Sequence, residues 1–233
     1  MVKEYWNDVD PEHGPLQEGE SETIVMVERP ALKHILPKDM AELTTLSVGC
    51  QDHEPALEAA RRGSRVTVVD PSEEALDGMY KSMAREGLNA DLVVSSLWDL
   101  TPIADGSVDL VTAETSIDEF ADLDKVFAEF HRVLRPGGAL MVVLPHPLVS
   151  GGHAIMGGTG AGQWLVDDYF NTNKAPNART TERYINPLVR VGFVIEQLIE
   201  PQPDPMTKGI NNSSWNLFNR IPQMLLIAVR KPV

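Results

Sequence analysis

Cysteine is almost absent from this chain: Cys50 is the single one in 233 residues. That excludes an intrachain disulfide and any structural zinc site built on cysteine. Long apolar runs are missing too. No stretch of about 18 apolar residues occurs, so the sequence offers no membrane-spanning helix. Runs of Lys or Arg are also lacking, and the formal net charge is −14. Nucleic acid and anionic membrane would both be repelled as main partners, and beyond that the charge says little about the substrate. The start, Met1-Val2-Lys3-Glu4-Tyr5-Trp6, has no signal-like hydrophobic region, so the expected location is cytoplasmic. His13, His34, His131, His146 and His153 show no metal-ligand spacing, and no metal is expected. A homodimer is left open.

What is present is a rhythm. Short apolar runs at 43–48, 65–69, 90–95, 108–113 and 139–144 read as strands. Amphipathic stretches at 54–62, 72–86 and 123–134 read as helices between them, with Gly63 and Gly87 as stops. Strands alternating with helices imply a parallel sheet covered on both faces. A helix over 177–191 and strands over 193–199 and 223–229 follow, the strands separated by a polar loop. The expected architecture is α/β, a Rossmann-like doubly wound seven-stranded, mostly parallel sheet with a C-terminal antiparallel strand pair. Residues 1–40 are expected to form an N-terminal arm and a helical cap, with a break or fresh start at Pro30. Residues 41–233 would form the α/β domain. Residues 150–162 contain six glycines, cannot make a stable helix or strand alone, and mark a lid at about 150–175.

The chemistry-bearing pattern lies at the first two strands. Thr44 to Val48 leads into Gly49-Cys50-Gln51-Asp52-His53, and Arg65 to Val69 ends in Asp70-Pro71. A tight turn followed roughly 20 residues later by an acid at a strand end is how an open α/β sheet holds a nucleoside. Gly-x-Gly-x-x-Gly is absent, which argues against a dehydrogenase.

Together with Pro102-Ile103-Ala104-Asp105-Gly106-Ser107-Val108-Asp109 and Phe130-His131-Arg132-Val133-Leu134-Arg135-Pro136-Gly137-Gly138, this pattern resembles the class I S-adenosylmethionine (SAM)-dependent methyltransferases, in their small-molecule, type 11 branch. The resemblance implies SAM as cofactor. It assigns Gly49 to the cofactor turn, Asp70 with Pro71 to the ribose, Ser96 and Leu97 to the adenine side, and Glu114 and Thr115 to the methionine end. The family turn runs acid-x-Gly-x-Gly-x-Gly; here those positions hold Ser47, Gly49, Gln51 and His53. Ser47 brings no charge for the cofactor's ammonium group, Gln51 and His53 add side chains where backbone approaches the ligand, and Leu97 cannot accept a hydrogen bond from adenine.

His146, in Leu144-Pro145-His146-Pro147 at the end of the fifth expected strand, is the candidate catalytic base. The expected function is methyl transfer from SAM to an oxygen or nitrogen of a small molecule. The rival readings are a cyclase or rearrangement enzyme on the same fold, and a non-catalytic binding subunit.

Overall fold

Alternation along the first strand, β1 (Thr44–Val48), decides which side of the sheet each residue serves. Leu46 and Val48 enter one buried cluster, and Thr45 and Ser47 face the opposite way. The computed structural model describes residues 21–50, 53–113, 122–156, 162–166, 169–170 and 180–233. Gln51, Glu114 and Thr115 lie outside them.

After β1 come α2 (Glu54–Arg61), β2 (Arg65–Asp70), α3 (Glu73–Arg85), β3 (Asp91–Val94) and β4 (Val108–Ala113). Then follow α4 (Leu123–Val133) and β5 (Leu134–Pro145). The chain continues with α5 (Pro147–Ser150), a hairpin of β6 (Gly152–Met156) and β7 (Gly162–Val166), α6 (Thr181–Val191), β8 (Val194–Ile199), α7 (Asn212–Phe218) and β9 (Met224–Arg230). Ahead of β1 lies α1 (Arg29–Ile35), entered through a wider π turn at Ile24–Glu28. The change of helix type falls next to Pro30, where the sequence placed a break.

The main sheet has the order β3-β2-β1-β4-β5-β9-β8. Strands β1 to β5 pair in parallel, and β9 runs antiparallel to both β5 and β8. This is the seven-stranded architecture expected from the sequence. Helices α4 and α6 cover one face, with Phe127, Phe130, Tyr184 and Leu188 packed on Leu140, Val142, Leu144 and Ile227. Helices α1 to α3 cover the other, with Met26, Leu32, Leu57 and Met79 on Val68, Leu110, Met141 and Val143. Burying each large apolar side chain is worth about 1.5–3 kcal/mol.

Local chemistry explains the helix starts. The Ser72 hydroxyl accepts from the Ala75 N–H at 3.2 Å and caps α3, with Glu73 and Glu74 in the first turn beside the positive end of its dipole. Gly138 has no room for a side chain, because a Cβ there would lie 2.9 Å from the Arg135 carbonyl oxygen. Arg132 staples the loop after β3 to α4, donating to the Leu100 and Ile103 carbonyls and pairing with Glu129 at 2.9 Å.

One expectation is extended and one is corrected. The glycine-rich segment supplies β6 and the first residue of β7 in an antiparallel hairpin, with Gly152 opposite Val166 and Met156 opposite Gly162. The partner arm supplies the backbone hydrogen bonds that neither arm has alone. The polar loop before β9 contains α7, because the Asn211 side chain caps it by accepting from the Ser213 and Ser214 N–H groups. Trp215 and Phe218 then pack on the α1–α3 side of the core. Among the described residues, no helix is long and apolar enough to cross a membrane.

Candidate active site

Strand order reverses between β1 and β4, and the crevice outside their carboxyl ends is where open α/β sheets bind ligands. Gly49 begins the turn at the end of β1 with φ of +79°, and its N–H donates to the Val69 carbonyl at 2.9 Å. That left-handed conformation is one glycine adopts without steric cost.

Asp70 ends β2 beside this turn and is buried. Its Oδ2 accepts from the Cys50 N–H at 3.0 Å and its Oδ1 from the Ser72 N–H at 2.8 Å. A carboxylate has about four lone-pair sites, so these bonds orient it and leave acceptor capacity on both oxygens. Pro71 follows on the surface. Ser95, just past β3, donates its N–H to the Asp70 carbonyl at 3.3 Å, which brings the third strand end to the same edge.

His53 also has a left-handed backbone, with φ of +61°. It supplies the conformation that the family glycine would supply, at a cost of about 1–2 kcal/mol for a residue with a Cβ. The imidazole turns toward α3, where Nδ1 meets the Ser82 hydroxyl at 3.1 Å and the ring lies over Gly78. Burial lowers its pKa, with Glu54 opposing and Arg85 adding to the effect. The ring thus makes its contacts on α3, while the Asp70 carboxylate is near enough to oppose the lowering of its pKa.

Ser47 is fully buried and accepts a hydrogen bond from the Thr112 hydroxyl at 3.2 Å. A hydroxyl pair thus stands where the family has a carboxylate. The buried carboxylate of Glu54, nearby in sequence, is already balanced by Arg29 at 3.0 Å and Arg61 at 3.4 Å. This ion pair ties α1 to the start of α2.

Leu97 does not line a ligand crevice. It is 1% exposed and belongs to the cluster under α4 with Leu100, Val126 and Phe127. A turn closed by the Asp99 N–H on the Ser96 carbonyl swings it inward and leaves Trp98 53% exposed. Ser96 remains at the carboxyl edge, within that turn.

His146 sits at the end of β5, buried, with its N–H on the Gln223 carbonyl. Its Nδ1 accepts from the Leu148 N–H at 3.2 Å, which leaves the ring proton on Nε2. Nε2 then donates to Glu200 Oε1 at 2.9 Å. Both ring nitrogens are engaged, so in this arrangement the imidazole has no lone pair to offer an acceptor. Glu200, immediately after β8, escaped the sequence reading because a single acid after a strand is an ordinary surface residue. Among the described residues, no cluster of His, Cys, Asp and Glu is arranged to hold a metal ion.

Comparison with known proteins agrees with this geometry. Residues 46–142 match the family described as "Methyltransferase domain". The ubiquinone/menaquinone biosynthesis C-methyltransferase UbiE of Rubrivivax gelatinosus is 38% identical over 45% of this chain, which spans only 39% of that relative's length. A SAM-dependent methyltransferase from Mesorhizobium loti shares the fold with a TM-score of 0.71 at 24% identity, over 86% of this chain and 96% of that one. The [4+2]-cyclase SpnF shares it at 0.64 and 19% identity, over 98% of this chain and 86% of its own. Residues 46–142 are thus similar to a methyltransferase domain, and the chain shares the fold of SAM-dependent methyltransferases.

Proposed function

We propose that this protein transfers the methyl group of SAM to a small-molecule acceptor bound over the carboxyl edge of the sheet. The observation that carries the reading is the state of Asp70: a buried carboxylate fixed by the Cys50 and Ser72 amides, with acceptor capacity left on both oxygens. A ribose diol presents two hydroxyl donors, which suits such a group. The direction of the His53 ring supports the same reading, since the turn keeps a glycine-like backbone while the ring makes its contacts on α3.

SAM supplies an already activated methyl group. The chain's own task is then to position donor and acceptor and to exclude water. Asp70 would hold the sugar, the Gly49 turn would pass beneath the polar part of the cofactor, and the elements after β5 would cover the acceptor. One relative is named a C-methyltransferase of ubiquinone/menaquinone biosynthesis, so carbon acceptors are tried beside oxygen and nitrogen acceptors.

The test is incubation of the full chain with methyl-labelled SAM and a panel of phenols, hydroquinones, amines and thiols. One labelled product per S-adenosylhomocysteine (SAH) released supports the reading. A protein that binds SAH yet labels nothing contradicts it. The second reading, a rearrangement enzyme that retains the cofactor unconsumed, draws on Ser47, which replaces the family's acid with a hydroxyl. It predicts SAM recovered intact beside an isomerised product.

A further inference from the structure

We propose that Glu200, held by His146, is the group that meets the acceptor, and that the acceptor is a phenol with an apolar body. This rests on the methyltransferase reading above and specifies its acceptor side. The two residues come from different strand ends of the same carboxyl edge, His146 from β5 and Glu200 from β8, with β9 between them in the sheet.

The pair is asymmetric. The His146 side chain is 7% exposed and that of Glu200 60%. The imidazole is fixed from behind by the Leu148 N–H on Nδ1 and gives its Nε2 proton to Oε1 of the glutamate. Among the described residues Oε2 has no hydrogen-bond partner, and most of the glutamate side chain is exposed. A nitrogen without a spare lone pair cannot take a proton, whereas a carboxylate oxygen can accept one. His146 is accordingly a positioning residue.

The elements that follow His146 indicate the acceptor's bulk. Leu148 on α5, Leu165 and Val166 on β7, and Phe170 beyond them expose apolar side chains, Phe170 to 84%. The Trp164 indole N–H donates to the Leu148 carbonyl at 2.9 Å and joins the hairpin to α5. Exposed apolar side chains on the elements that follow His146 suit a ligand with an apolar body and one or two polar ends.

The step assigned to Glu200 is a proton transfer. The acceptor's O–H bond breaks, a glutamate O–H bond forms, and the electron pair stays on the acceptor oxygen. Complete transfer before methylation would be opposed about a million-fold, since reference phenols and carboxylic acids differ by about six in pKa. The proton therefore moves as the acceptor's electrons are committed to the methyl group, which is general-base catalysis worth about 10²–10⁴ in rate. The exposed carboxylate then returns the proton to water.

The experiment uses the full chain with 1,4-naphthohydroquinone, an apolar bicyclic phenol, and SAM, with SAH affinity measured separately by calorimetry. Glu200→Gln preserves shape and should lower kcat/KM about 100-fold, flatten the acid limb of the pH profile, and leave SAH affinity unchanged. His146→Asn should lower kcat more than it raises KM, because the glutamate loses the hydrogen bond that holds it in place. Unchanged turnover in Glu200→Gln overturns the proposal. So does a fall in SAH affinity matching the fall in turnover, which would mark a structural role. Wild-type protein that binds SAH but leaves the naphthohydroquinone unmethylated overturns the phenolic acceptor; wild-type protein that fails to bind SAH overturns the methyltransferase reading itself.

Discussion

The imidazole of His53 lies over Gly78, so close that a Cβ on the glycine would stand 3.4 Å from His53 Cε1. A glycine in the middle of α3 costs about 0.5–1 kcal/mol relative to alanine, and here it leaves a berth for that ring. A single methyl group fits as an ordinary contact, so Gly78→Ala should raise stability by about 0.5 kcal/mol. Gly78→Leu should displace the ring, break its bond to Ser82 and weaken SAH binding. His53→Gly removes a ring whose contacts are on α3, and its SAH affinity should stay within about threefold of wild type. Thermal denaturation and calorimetry check all three; tighter binding by His53→Gly would show that the ring does obstruct the site.

Stability should fall on the acid side of neutrality. Burial lowers the pKa of His53 below 6.5, and burial followed by the charge of Lys231 does the same for His131, which stacks edge-on against Phe193. Below pH 6.5 the unfolded chain takes up protons that the folded chain resists, so this contribution is whole above 6.5 and is lost as pH drops through the folded values. Glu86 and Glu129, held down chiefly by Arg61 and Arg132, act with the same sign but only below 4.5. Urea midpoints should therefore decline between pH 7 and pH 5.5. The double variant His53→Gln, His131→Gln should flatten that slope, and an equally steep slope would contradict the assignment.

Leu97 and Trp98 separate core from surface at neighbouring positions. Leu97→Ala should cost about 2–5 kcal/mol, as for a buried leucine in a close-packed cluster. Trp98→Ala, at a side chain half in solvent, should cost about 1 kcal/mol or less. Chemical denaturation distinguishes them. If Leu97→Ala is instead nearly neutral in stability but weakens SAH binding, the residue lines the adenine side after all.

The fold was legible because its signals are local and repeated: β-branched runs of strand length, caps such as Ser72, and glycines at helix ends. Asp70 was legible for the same reason, being a carboxylate at a strand end in a fixed relation to a turn. Where the reading failed, the deciding contact was distant in sequence. Nothing near His53 announces that its ring goes to Ser82 and Gly78, and nothing near His146 announces Glu200, 54 positions further on. Leu97 was placed by aligning a pattern, yet an apolar side chain at a strand end seeks the core whatever residue the family carries there. The hairpin of β6 and β7 escaped because its arms are short and sit among glycines in the sequence, which masks any alternation.

Calorimetric titration of the full chain with SAH, beside Asp70→Ala, tests most directly whether the crevice above β1 and β2 is a nucleoside site. Micromolar binding by the wild type is predicted, weakened at least about 100-fold, or about 2.7 kcal/mol, in a variant whose circular dichroism shows the fold intact. Equal affinity in the two proteins, or no heat from either at millimolar SAH, would contradict it.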